Sequence, residues 1–114
     1  MAVTAHYFVE TTVKIWLRTR LIAFRHVPGS HTGIVLGYHF HDILVEFGID
    51  HKVGQITADN ASNNNTMMTW IEDALTERGV SFSRLSNRIR YVCYHRCPGY
   101  VYSYILDVFR TSSI

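Results

Sequence analysis

Cysteine is nearly absent from the sequence, occurring only at Cys93 and Cys97. Two are too few for a disulfide framework, and this pair would close only a trivial loop. Long apolar runs are lacking too: Arg, His, Thr or Gly interrupts every stretch within a few residues, well short of the roughly 18 consecutive apolar residues of a spanning helix. No membrane association is expected. Met1 to Tyr7 have neither a charged n-region nor an unbroken apolar h-region, so no secretory signal is expected and an intracellular location is. The sequons at Asn60 and Asn64 then predict no glycan. There is no internal repeat, and low complexity is confined to Asn63-Asn64-Asn65. Glycine-rich phosphate loops, a Gly-x-Ser-x-Gly elbow and a cysteine framed by His and Asn/Asp are all missing, which leaves nucleotide-cradling and nucleophilic chemistry without support.

What remains is the composition of one small folded domain: 114 residues, 47% apolar, 13% aromatic and 18% charged, against the signatures of disorder, collagen or coiled coil. The net charge of +2 is unevenly spread. Seven acids (Asp42, Glu46, Asp50, Asp59, Glu72, Asp73, Glu77) stand against Lys52 alone, and five arginines (Arg78, Arg84, Arg88, Arg90, Arg96) follow with no acid among them. The basic segment reads either as a phosphate-contacting surface with salt-dependent affinity or as solvated arginines paired with the acidic helix before it.

Residues 2–9 and 13–24 are rich in β-branched and aromatic residues, with Lys14, Arg18 and Arg20 on one parity, and predict two strands of a hairpin. Pro28-Gly29-Ser30 punctuates, with Ser30 placed as an N-cap. From 31 to 47, apolar residues at Val35, Leu36, Phe40, Ile43, Leu44 and Phe47 predict a helix that Gly48 terminates. Residues 52–58 predict a short strand, and Met67, Met68, Ile71, Ala74 and Leu75 a second helix ending at Arg78-Gly79. Hairpin, helix, strand, helix is the order of an α/β domain. Beyond Gly79, residues 88–92 are a strand candidate and 100–109 read equally as strand or short helix.

Asp59 is the residue that carries most chemistry. An Asp at the end of a strand, before small polar residues and a helix, lies where open α/β sheets place functional groups. Such a carboxylate could hold a divalent metal for phosphodiester chemistry, given further carboxylates; equally, Asp59 and Asn60 could simply cap the helix. Cys93-x-His95-x-Cys97 raises zinc, but a structural zinc site needs a second ligand pair and none is evident. His39 and His41, two apart on a helix, point in different directions and do not chelate one ion; they predict a surface and a boundary residue. Met67, Met68, Trp70 and Ile71 predict core rather than cofactor contacts.

Ser30-His31-Thr32-Gly33, Val53 to Asn64 with its Asp59-Asn60-Ala61-Ser62-Asn63-Asn64, and Asn87-Arg88-Ile89-Arg90 together resemble the catalytic core of hAT superfamily DNA transposases, most closely fungal forms, over about residues 2–90. The resemblance implies a partial ribonuclease H-like α/β fold over 1–90 and a divergent tail over 91–114. It also implies a nuclear, DNA-associated protein. In the family a triad of two aspartates and a glutamate holds Mg²⁺ or Mn²⁺, and Asp59 matches the second aspartate as catalytic and metal-ligating residue. The first aspartate, on a strand before Ala2, and the distant glutamate have no counterpart here, so no independent catalysis is expected. Arg96-Cys97-Pro98-Gly99-Tyr100 echoes a family Arg-Cys-x-x-His stretch imperfectly, and residues 91–95 read as an insertion. Arg78, Arg84, Arg88 and Arg90 are the candidate DNA contacts. Because the family's first strand sits centrally, between the hairpin and the strand ending at Asp59, its loss predicts two unpaired strand edges. That leads to the alternative role, a non-catalytic module pairing with itself or with an intact transposase.

Overall fold

The structure, a computed structural model, describes residues 1–59, 61–91 and 103–111. The Cys93-x-His95-x-Cys97 cluster lies outside them. The elements run β1 (Ala2–Glu10), β2 (Ile15–Phe24), α1 (Gly33–Glu46), a short 3₁₀ turn (Asp50–Lys52), β3 (Val53–Asp59), α2 (Ser62–Glu77), β4 (Arg88–Tyr91) and β5 (Ser103–Thr111). They build one mixed five-stranded sheet in the order β2-β1-β5-β3-β4. The hairpin is antiparallel as its short connector requires. The parallel pair β3 and β4 needs a crossover, which α2 supplies.

The expected gap between the hairpin and β3 is filled. β5 lies there, parallel to β1 from Ala2↔Ser103 onward and antiparallel to β3 with Ile56↔Leu106 and Thr57↔Ile105. This corrects the prediction of two unpaired inner edges: the backbone groups of β1 and β3 find their partners in a strand from the other end of the chain. Within 100–109, the described residues 103–109 resolve as strand, because a central slot between two strands rewards extended backbone on both sides.

Both helices pack on one face. Val3, Ala5 and Tyr7 of β1 and Ile56 and Ala58 of β3 are buried with Leu36, Phe40, Ile43 and Leu44 of α1 and Met67, Met68, Ile71 and Leu75 of α2. The helical spacing in the sequence therefore finds the core, except that Phe47 is exposed and Val35, Trp70 and Ala74 are only half-buried. Thr32, not Ser30, caps α1: its Oγ1 accepts from the Val35 N–H at 3.3 Å. The two terminating glycines do what their positions predict. At Gly48 (φ +65°) the amides of Gly48 and Ile49 donate to Val45 and Leu44, and at Gly79 (φ +75°) those of Gly79 and Val80 donate to Thr76 and Leu75. Both are Schellman closures, which need a left-handed residue that glycine adopts without a Cβ penalty.

His41 is the boundary histidine. Its ring meets Trp70 edge-on at 5.8 Å, and its buried Nε2 has no hydrogen-bond partner among the described residues. Burial first, and then the Arg78 charge, hold its pKa below the ordinary 6.5. The unfolded chain therefore binds the proton more readily than the folded one. Stability is full above pH 6.5 and falls as the pH drops from there toward the depressed folded value. A His41→Gln variant is expected to flatten the loss of denaturation midpoint below pH 6.5; an unchanged profile would count against this assignment.

Candidate functional site

The three segments that carry the resemblance meet at one corner, where β3 runs into α2. Asp59, half-buried at the strand end, accepts at Oδ1 from the Ala61 N–H (3.0 Å) and from Asn64 Nδ2 (2.6 Å). The first bond is an Asx turn, so the carboxylate helps set the entry into α2 as a capping role predicts. The N-cap itself is Ala61, which offers no side-chain acceptor. Asn64 is buried, and its amide also reaches the Asp59 carbonyl at 3.3 Å.

The other two segments clamp this corner from either side. Asn63 Nδ2 donates to the His31 carbonyl (3.2 Å), while the His31 ring Nε2 lies 2.8 Å from the Val27 carbonyl. Two residues on, the Cα of Gly33 lies so close to α2 that a Cβ there would fall 2.4 Å from the Asn63 carbonyl oxygen and 2.5 Å from Thr66 Cβ. From the sheet side, Arg88 donates to Asn65 Oδ1 (2.7 Å) and reaches the Asp59 carbonyl (3.5 Å). Asn87 donates to the Gly54 carbonyl at 2.7 Å, and its own carbonyl accepts from Ile56 at 2.9 Å. Ser-His-Thr-Gly, the Asp59 to Asn64 run and Asn-Arg-Ile-Arg are thus parts of one fastening, a relation that spacing along the chain does not reveal.

The fit of this corner to divalent metal follows from the same geometry. Oδ1 of Asp59 is already an acceptor twice over. Among the described residues no three His, Cys, Asp or Glu come together as a metal-holding group. The acid on the neighbouring strand is Asp107, which stands level with Gln55. That is four residues back from Asp59, about 13 Å along the strand. The described residues place no such group around Asp59.

The nominated arginines divide. Arg78 Nε donates to Asp50 Oδ2 at 2.7 Å, and Asp50 is buried. Arg88 is bound into the corner. Arg84 is exposed, with its main-chain N–H on Glu72 (2.7 Å) and its guanidinium 3.3 Å from Thr69 Oγ1. Arg90 is exposed on the edge strand β4. The pairing of arginine with acid is therefore real for Arg78, though its partner precedes β3 rather than belonging to α2.

Residues 1–85 match the family described as the ZBED1 RNase-like domain. Two maize (Zea mays) proteins named "Putative AC transposase" and "Putative AC9 transposase" are each 38% identical over 78 residues, covering 68% of this chain and 9% of theirs. The "Putative transcriptional regulator tpeD" of the fungus Talaromyces stipitatus is 37% identical over 76 residues, 66% of this chain and 8% of its own length. The chain thus spans less than a tenth of the length of these relatives. No solved structure matches it. No helix among the described residues is long and apolar enough to cross a membrane.

Proposed function

Because the chain belongs to the ZBED1 RNase-like domain family and is of hAT transposase type, we propose that it is a nuclear, DNA-associated ribonuclease H-like unit that does not cleave DNA by itself. One observation carries this reading: Oδ1 of the carboxylate at the family's catalytic position is engaged by the Ala61 amide and the buried Asn64, which ties it into the strand-to-helix corner. Asp59 keeps its place but works as a fastener between strand and helix. Arg84 and Arg90, both exposed, are available to phosphate in this role, and Arg78 and Arg88 serve chiefly the fold.

The test is nicking of supercoiled plasmid by the purified chain with Mg²⁺ or Mn²⁺, beside an Asp59→Ala variant. No nicking above that variant is expected; nicking by the parent chain that the variant loses would overturn the reading.

Exposed apolar side chains on the hairpin favour a second reading. Phe8, Leu17 and Leu21, on the β1–β2 positions that alternate with the buried ones, are 48%, 56% and 57% exposed. Phe8 and Leu17 stand opposite each other, exposed apolar patches mark contact surfaces, and self-association or pairing with an intact transposase would cover them. A solution mass that rises with concentration, without DNA binding, would select this reading over the first.

A further inference from the structure

The chain contains no acid between Glu10 and Asp42, yet Lys14, Arg18, Arg20 and Arg25 fall within that interval. The structure treats these four differently. Arg25 is neutralised by Asp42 (2.8 Å) and Glu46 (3.1 Å), as Arg78 is by Asp50. Among the described residues, no carboxylate pairs with Lys14, Arg18 or Arg20. All three are exposed, and β2 is the outer strand of the sheet.

They also share a face. In the hairpin register Trp16, Arg18 and Arg20 lie opposite Val9, Tyr7 and Ala5, and Lys14, two residues before Trp16, continues their parity. Tyr7 and Ala5 are buried beneath the helices, so the cations form a ledge beside the helical layer on the same side of the sheet. Trp16 organises it: Lys14 Nζ sits 5.2 Å and Arg18 Cζ 5.6 Å from the ring centroid, within cation–π range. Two long, otherwise floppy side chains are thereby held along the strand.

We propose that the β2 ledge of Lys14, Arg18 and Arg20, ordered by Trp16, is a contact surface for the phosphodiester backbone of DNA. From Lys14 to Arg20 the ledge runs about 20 Å, close to the rise of six nucleotides along one strand of a duplex. A second copy of β2 is a poorer occupant: antiparallel pairing about Thr19 would set Arg18 opposite the copy's Arg20, and like charges directly opposite are destabilising. The inference rests on the DNA-associated reading above and gives that reading a surface away from the basic segment around Arg84.

The test measures binding of the full chain to a mixed-sequence duplex DNA across a salt series. It compares the parent with Lys14→Gln/Arg18→Gln/Arg20→Gln and with Arg84→Gln/Arg90→Gln, and runs polyglutamate as a second anionic probe. Three phosphate contacts contribute about 2.7 to the slope of log affinity against log salt. The β2 variant should lose that slope, equivalent to about a 40-fold change in affinity between 50 and 200 mM salt, and should lose more than the Arg84/Arg90 variant. If the triple variant melts early, Arg18→Gln and Arg20→Gln singly should each remove about 0.9 of slope. DNA binding by the parent with an unchanged slope in the β2 variants overturns the ledge and leaves DNA association standing. No binding by the folded parent, or binding to polyglutamate in preference to DNA, overturns both.

Discussion

Replacing Gly33 with alanine is expected to cost about 3 kcal/mol or more, near the upper end of overpacking penalties. The reason is what the added carbon would meet. A Cβ at Gly33 would fall 2.4 Å from the Asn63 carbonyl oxygen and 2.7 Å from the Met67 amide nitrogen, and both atoms belong to the backbone of α2. A flexible side chain could swing aside; a helical backbone bonded along its own ladder moves only with the whole helix. Moving α2 away from α1 would loosen the cluster in which Leu36 and Phe40 of α1 are buried with Met67 and Ile71 of α2. With only about 5–15 kcal/mol holding a domain together, the variant should lose much of its stability, seen as a large fall in the urea midpoint. At Gly37 the corresponding contacts are 3.2 Å, to the Met67 carbonyl and Trp70 ring, so Gly37→Ala is expected to be milder. Equal effects at the two sites would show that the close approach at Gly33 is not what the position is for.

Replacing Asp59 with alanine is expected to cost about 2–3 kcal/mol, since hydrogen bonds to charged groups are worth about 1.5–3 kcal/mol and Asn64 is left buried without its best acceptor. In a domain of this size that should lower Tm by roughly 10 °C or more. Asp59→Asn retains an oxygen to accept from Ala61 and Asn64, so it should recover most of the loss. The contrast is informative because a metal ligand behaves otherwise: asparagine would fail there nearly as badly as alanine, and in activity or metal binding rather than in stability.

The parts of the fold legible in the sequence are those set by local chemistry. The apolar spacing of Leu36, Phe40, Ile43 and Leu44 and the glycines at 48 and 79 fix both helices to within a few residues, because amphipathic period and left-handed closure are properties of a few consecutive residues. Ser30 and Thr32 are both competent to cap α1, and the fold uses Thr32, whose Oγ1 accepts from the Val35 N–H. The position of β5 was illegible for a different reason. Residues 103–111 pair with Ala2–Val9 and with Val53–Thr57, and no local pattern states which edge a distant strand will fill.

Asp59 was legible as the residue that matters and ambiguous in what it does. Strand-end position and following polar residues suit a ligand and a fastener equally. The fastener reading draws on Asn64, which sequence offers as one of three neighbouring asparagines and the fold singles out by burying it. The β2 cations were visible as a parity pattern. Their significance appears only once Arg25 and Arg78 are seen to be paired and these three are not.

The most direct test of the account is the denaturation midpoint of the parent chain and of Asp59→Asn as Mn²⁺ is added. A ligand that binds the folded state raises stability in proportion to the logarithm of its concentration above Kd. Midpoints that do not move with Mn²⁺ in either protein are expected, with Asp59→Asn close to the parent throughout. A midpoint that climbs with Mn²⁺ in the parent and stays flat in Asp59→Asn would make Asp59 a working metal ligand and contradict it.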